Sequence, residues 1–280
     1  MSFGKAFIRN LFCGFAALLV LSGLVLSGAA QADNKPSIVM FAYDVVDLTH
    51  TYNDETIYWP TETKGFQMKE QAHGFVEGGW FYSSYAITTP EHGGTHMDAP
   101  YHFEQRGEKA NEVSPRRFIG HAIVIDVSKQ ARKNPDYLLT KKDIKKFEKE
   151  HGKIEQGAIV VMRTDWSKHW PDRKKYLGDD RPGRTDDLHF PSFGKEAAQF
   201  LIEKRKAKMI GVDTASIDYG QSKDFIVHRI AGSRNVPGLE NLTNLDQLPP
   251  KGAMIIALPM KIGGGSGAPV RVIALVPGTD

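Results

Sequence analysis

His92-Gly93-Gly94-Thr95-His96-Met97-Asp98-Ala99-Pro100-Tyr101-His102 packs three histidines and a carboxylate into eleven residues. A lone histidine is usually a hydrogen-bonding polar residue, whereas a cluster this dense is a metal-binding pattern. His92 and His96 are four apart, so one helical turn or a compact loop would bring both imidazoles to one side. Asp98 then completes a facial set of two nitrogens and an oxygen, which leaves coordination positions open. Such a site suits a catalytic ion, because the pKa of bound water falls from about 15.7 toward roughly 7, giving hydroxide at neutral pH. Gly93 and Gly94 let backbone approach closely, and Pro100 fixes the chain on leaving. His102 is close enough in chain to enter the site without being a ligand. Its expected role is general acid/base, with a ligand or hydrogen-bonding role as the alternative.

Upstream, Lys5 and Arg9 precede an apolar run from about Phe12 to Val25, and Ala30-Gln31-Ala32 offers a small-residue cleavage site before Asp33. Residues 1–32 therefore read as a signal peptide, and residues 33–280 as one exported domain, periplasmic or secreted. The apolar run is short for a membrane span, so no stable membrane association is expected after cleavage. The only cysteine, Cys13, lies within that run. A mature chain without cysteine has no disulfide framework, no thiolate nucleophile and no thiolate metal site, so any metal must be held by His, Asp and Glu. Losing Lys5 and Arg9 takes the formal charge from +3 to +1, which gives no field suited to nucleic acid.

Downstream, β-branched runs at Ala122–Val127, Gly157–Met162, Met209–Asp213, Ala253–Leu258 and Val270–Val276 predict buried strands. Val45–Leu48 and Trp80–Thr88 add two more, the latter alternating as a half-buried strand should. Thr140 with Asp143 predicts a capped helix whose inward face is Ile144 and Phe147. A second helix is expected from about Gly194 to Arg205, burying Ala197, Phe200 and Leu201. Helices leading by short turns into strands predict α/β layering. Glu104–Arg117 and Lys168–His189 carry few apolar residues and read as functional or interface loops.

The spaced pattern His92-x-Gly94-Thr95-His96-x-Asp98-x-Pro100-x-His102 resembles the signature of the cyclase family, whose members include kynurenine formamidases and isatin hydrolases. The similarity extends through Asp47-Leu48-Thr49, Gly211-Val212-Asp213-Thr214, Asn241-Leu242 and Pro259-Met260-Lys261-Ile262. The resemblance implies a single-domain swivelling β/β/α fold with a central mixed sheet and flanking helices. It also implies a homodimer or homotetramer in which neighbouring subunits contribute to the pocket. In such members the motif's first two histidines and its aspartate bind a divalent metal, the last histidine acts as acid/base, and a later histidine and glutamate complete the metal set. His228 and Glu240 match those later positions; alone, each reads as a surface or core residue. Zn2+ and Mn2+ both accept this donor set, as one or two ions per subunit.

The implied activity is hydrolysis of a C–N bond in a small amide, by hydroxide generated at the metal with His102 moving the proton. The substrate class is an aryl formamide such as N-formylkynurenine, or a cyclic amide. Export fits poorly with a cytosolic catabolite, so an isatin-type lactam or a lactone is the alternative. A non-catalytic exported metal-binding protein is the reading from another class; it needs the ligands but not His102. Trp59, Phe66, Trp80, Phe81 and Tyr82 could wall an aryl site, with Phe103 beside the acid/base; Trp59, Trp80 and Phe103 are the substrate-contact candidates. The run Gly263–Pro269 lacks the endings of nucleotide-binding motifs and reads as a mobile loop between strands, and no Gly-x-Ser-x-Gly elbow occurs in the mature chain. His151, His169 and His189 read as solvent-facing.

Overall fold

Valine and isoleucine crowd the preceding helical turn but pack well on a pleated surface, which is why the β-branched runs form the central sheet. The structure, a computed structural model, describes residues 43–278, so the expected signal peptide lies outside the described residues. In chain order the strands are β1 (Tyr43–Asp47), β2 (Gln67–Phe75), β3 (Phe81–Thr88), β4 (His96–Asp98), β5 (Ile119–Asp126), β6 (Leu138–Leu139), β7 (Ile159–Arg163), β8 (Ser192–Phe193), β9 (Met209–Val212), β10 (Gly238–Glu240), β11 (Lys251–Pro259) and β12 (Gly267–Pro277). The helices are α1 (Ser128–Ala131), α2 (Lys141–His151), α3 (Arg173–Leu177), α4 (Lys195–Gln199) and α5 (Ile226–Gly232).

The main sheet runs β1-β12-β11-β5-β7-β9-β10-β4, and β4 pairs also with β12, closing the sheet into a barrel-like ring. β5, β7, β9 and β10 are mutually parallel and the other pairings antiparallel, so the sheet is mixed. Side chains alternate across it with period two. Ala122, Val124, Ile159, Val161, Met209, Val272 and Met97 fill the ring interior. Ile123, Ile125, Val160, Met162, Ile210 and Val212 form the opposite face, where Ile144, Phe147, Ala197 and Leu201 of the helical layer cover them. Each of the valine, leucine, isoleucine, methionine and phenylalanine side chains among them contributes about 1.5–3 kcal/mol on burial.

Thr140 caps α2 as its spacing predicts: its hydroxyl accepts from Asp143 N at 3.2 Å, and the Asp143 carboxylate accepts from Thr140 N at 2.9 Å. The second helix is also found, as α4 continued by a π-type turn over Phe200–Lys204.

Two expectations need correction. β3 is not half buried: β2 and β3 pair only with each other among the described residues and leave Met68, Phe75, Trp80, Phe81 and Ile87 exposed. Nor are the two polar stretches free of core: Ala110 and Val113 of 104–117 join the ring-interior cluster, and in 168–189 α3 buries Tyr176 and Leu177, which join Leu188, Phe190 and Ile57 in a third apolar cluster. That cluster draws its apolar surface from several distant segments, so no one stretch looks like core. The short elements β4, β10 and α5 left no periodic signal, and together they carry the site.

Candidate metal centre and catalytic cavity

β4 lies between β10 and β12. Alternation along its three residues sends Met97 into the ring and places His96 and Asp98 together on the other face. The four-residue spacing of His92 and His96 therefore uses a turn and a strand, not a helical turn. Register supplies the next ligand candidate. Glu240 on β10 is directly opposite His96, while Gly238 is opposite Asp98 and a Cβ there would lie 3.4 Å from the Asp98 carboxylate. Gly94 has φ +57° and would drive a Cβ into the ring of Tyr52, whose hydroxyl donates to the carbonyls of Gly93 and Thr95 at 2.7 Å. This pins the motif loop against the preceding segment.

The structure brings all five expected ligand residues together. His92 Nδ1 lies 2.7 Å from Asp98 Oδ1, and His96 Nε2 lies 3.2 Å from the same oxygen and 3.5 Å from Glu240 Oε2. His228, on α5, has Nε2 at 3.3 Å from Asp98 Oδ2 and 3.2 Å from Glu240 Oε1. The far nitrogens are held as well: His96 Nδ1 is 3.0 Å from Gly94 O, and His228 Nδ1 is 2.7 Å from Asp218 Oδ2. Asp218 also accepts from the backbone amides of Val227 and His228 at 2.9 Å, fixing the start of α5. Asn241 Nδ2 donates to Gly94 O at 2.7 Å and receives the Tyr176 hydroxyl on Oδ1 at 2.9 Å, while Ile217 N donates to Glu240 Oε1 at 2.8 Å.

These groups are buried, and burial disfavours their charged forms. Burial raises the Glu240 carboxyl, and Asp98 beside it adds to that. Burial would raise Asp98 too, but His96, His228 and His92 hold it well below the usual carboxylate range. Burial lowers His96 and His228, yet His96 rises to about 9 on the strength of Asp98, Glu240 and the Gly94 carbonyl, and His228 is raised by Asp218, Asp98 and Glu240. Two carboxylates enclosed this way need positive charge between them. Protons on His96 and His228 can supply that charge, and a divalent cation would replace them, since imidazole nitrogens and carboxylate oxygens converging on one point are the donor chemistry of such a site.

His102 closes a 3-10 turn (Pro100–His102) and stacks on His92, with centroids 3.8 Å apart at 17°. None of the side-chain hydrogen bonds found among the described residues involves its ring, and burial, reinforced by neighbouring imidazoles against the pull of Asp98, lowers its pKa to about 3. Above the cluster is a cavity of about 260 Å³ lined by Trp59, Phe103, Phe225, Ile57, Tyr58 and Ala215, with the five ligand candidates and His102 also in its wall. Phe225 meets Trp59 edge-on at 6.3 Å and tilts over Phe103 at 5.0 Å.

Trp59 and Phe103 thus line the cavity. Trp80 does not: it sits at the tip of the β2–β3 hairpin, 57 % exposed, outside this chain's cavity, and Phe81 and Tyr82 share that hairpin. Phe66 packs edge-on against Tyr52 instead. Sequence reading missed Phe225, Tyr58 and Asp218. A carboxylate ten residues before a candidate histidine ligand was the available signal for Asp218; Phe225 had none. The run Gly263–Pro269 is no loose loop, since Gly267 begins β12 and Ser266 Oγ lies 2.9 Å from His92 Nε2.

A family model described as "Putative cyclase" matches residues 46–219. The chain belongs to the Cyclase family. This cyclase-family chain is 36 % identical to a protein named isatin hydrolase from Roseibium aggregatum, over 84 % of this chain and 92 % of the relative. It is 28 % identical to a kynurenine formamidase from Bacillus thuringiensis, covering 81 % and 95 % of the two. A solved structure of isatin hydrolase A from Labrenzia aggregata, bound to benzyl benzoate, superposes with a TM-score of 0.77 at 37 % identity, covering 86 % of this chain and 96 % of that one. The α/β fold with a central mixed sheet, implied by the cyclase resemblance, is the fold found.

Proposed function

We propose that this cyclase-family protein is a divalent-metal-dependent amide hydrolase that opens the C–N bond of a small uncharged aryl amide, an isatin-type lactam in preference to an N-formylkynurenine-like formamide. The observation that carries this is the five-residue nitrogen and oxygen cluster at the base of an apolar, aromatic cavity of about 260 Å³. His92, His96, Asp98, His228 and Glu240 would hold one or two ions, and Zn2+ and Mn2+ both suit the set. When bound, the ion supplies Lewis acidity at the substrate carbonyl and lowers the pKa of water.

The chain's own residues do the rest. Trp59, Phe103 and Phe225 bind the aryl ring and exclude bulk water from the reacting bond. Neutral His102 accepts the proton released as water oxygen bonds to the carbonyl carbon, then delivers it to the nitrogen as the C–N bond breaks. An amine and a carboxylic acid result, on one molecule when the substrate is a lactam, and the acid loses its proton to solvent to become a carboxylate. The lining favours an uncharged substrate, because among the described residues it holds no lysine or arginine and Glu62 adds an acid. His102 in the cavity wall supports this reading over a metal-binding protein without catalysis, which has no use for a proton carrier.

Export to the periplasm or outside is part of this proposal and rests on the pattern of residues 1–32. So is a homodimer or homotetramer, supported by the apolar β2–β3 hairpin, whose exposed Phe75, Trp80 and Phe81 suit burial against another subunit. No helix of the described residues is long and apolar enough to cross a membrane.

The test is turnover of isatin, N-formylkynurenine and an aryl lactone by chelator-stripped protein resupplied with Mn2+ or Zn2+. Metal-dependent ring opening of isatin with the highest kcat/KM is expected. Absence of any metal-dependent hydrolysis would refute the proposal, and a preference for the formamide would overturn the choice of lactam.

A further inference from the structure

The glycine-rich run at 263–267 matches no nucleotide motif, yet it is folded tightly around the first histidine of the metal motif. Ala110 N donates to Gly265 O and Ala99 N to Ser266 O, each at 2.9 Å, and Gly264 N donates to Asn111 Oδ1 at 2.9 Å. Gly267 leaves room that a side chain would take, since a Cβ there would meet His92 Cε1 at 2.5 Å and Met97 O at 2.8 Å. The loop therefore presents one hydroxyl, that of Ser266, at a fixed place. Ser266 Oγ is 2.9 Å from His92 Nε2 and 2.6 Å from Glu91 Oε2, and Ser266 N donates to that same carboxylate oxygen at 2.9 Å.

We propose that Ser266 and Glu91 are positioning residues that fix the tautomer of His92 and aim its Nδ1 at the metal. The inference rests on His92 being a ligand in the hydrolase proposed above. Donor accounting gives the direction of each bond. The Glu91 carboxylate only accepts, so the single hydroxyl proton of Ser266 goes to it. Ser266 Oγ then offers His92 a lone pair, and Nε2 carries the hydrogen that meets it. With His92 neutral, as a metal ligand must be, Nδ1 is left with its lone pair toward Asp98 Oδ1, 2.7 Å away, where a bound cation would be shared by both atoms.

The other two histidines follow the same plan, with His96 tied through its far nitrogen to Gly94 O and His228 to Asp218. Partners of this kind fix ring orientation and typically govern metal affinity by about 10- to 100-fold. Ser266 and Glu91 supply this function for His92, whose far nitrogen, among the described residues, hydrogen-bonds to a hydroxyl where those of His96 and His228 meet a carbonyl and a carboxylate.

The experiment compares wild type, Ser266→Ala, Ser266→Thr and Glu91→Gln for Zn2+ affinity by competition with a chromophoric chelator, for thermal unfolding of the stripped proteins, and for the His92 tautomer by 15N NMR. Ser266→Ala is expected to weaken Zn2+ binding by about 10- to 100-fold with little change in unfolding of the stripped protein, and Ser266→Thr to restore it. In Glu91→Gln the amide oxygen must face Ser266 N–H, so Ser266 Oγ still donates to it and the His92 hydrogen stays on Nε2; the neutral acceptor should cost less Zn2+ affinity than Ser266→Ala does. A wild type that binds no Zn2+ would sink the hydrolase reading and this inference with it. Tight wild-type binding matched by all three variants would overturn the positioning role alone. So would losses of affinity that merely track lost stability of the stripped proteins, since a loop clamp would do the same.

Discussion

Asp218 aims α5 at the metal cluster, and Asp218→Asn isolates that role. Its carboxylate accepts three hydrogen bonds, from Val227 N on one oxygen and from His228 N and Nδ1 on the other, at 2.7–2.9 Å. An asparagine has one acceptor oxygen. If that oxygen stays with the two His228 donors, the amide NH2 faces Val227 N–H and leaves one buried donor unsatisfied, costing about 1–3 kcal/mol. For a chain of this length each kcal/mol lowers Tm by roughly 2–4 °C, so a fall of roughly 2–12 °C is expected in chelator-stripped protein. If the oxygen turns the other way, the His228 tautomer is lost and Zn2+ affinity falls by about 10- to 100-fold. Asp218→Ala leaves all three donors without a partner and must do worse on both counts. The assay is thermal unfolding of stripped protein together with a Zn2+ titration. An Asp218→Asn variant matching wild type in both would refute the reasoning.

His102→Ala should retain metal stoichiometry while kcat falls by about 10²- to 10⁴-fold, read by metal analysis beside a turnover assay. Saturation with Zn2+ or Mn2+ at about a thousand times Kd should stabilise the fold by about 4 kcal/mol, and chelation should reverse the gain in a thermal scan. Hydrogen bonds from Arg205 hold the Glu148 carboxyl near 2, below its ordinary 4.5, so this pair's stabilisation is complete above pH 4.5 and is lost as pH falls toward 2. Arg205→Met should therefore be less stable at neutral pH and flatter along the acid limb of its denaturation profile. Thr140→Ala removes the cap of α2 and should cost about 1 kcal/mol by chemical denaturation without touching turnover.

Local chemistry made much of this legible in the amino-acid order. Thr140 and Asp143 are three residues apart and settle a helix start between themselves, and the β-branched runs of β5, β7 and β9 carry their own preference for a sheet. The signature drew His92, His96 and Asp98 into one candidate site, and the resemblance added His228 and Glu240, all of which the fold brings together. What escaped was set by pairing between distant segments. Glu240 meets His96 only because β10 and β4 pair in one register, and β4 is a strand only because β10 and β12 flank it. Ser266 reaches His92 across 174 positions and His228 reaches Asp98 across 130. Trp80 shows the converse, for nearness in sequence to the motif did not bring it to the cavity once β2 and β3 had paired with each other. Short-range hydrogen bonding and side-chain periodicity are properties of neighbouring residues and can be read along the chain. Which imidazole has a hydroxyl behind it, and which aromatic ring lines the cavity, depends on closure of the ring of strands.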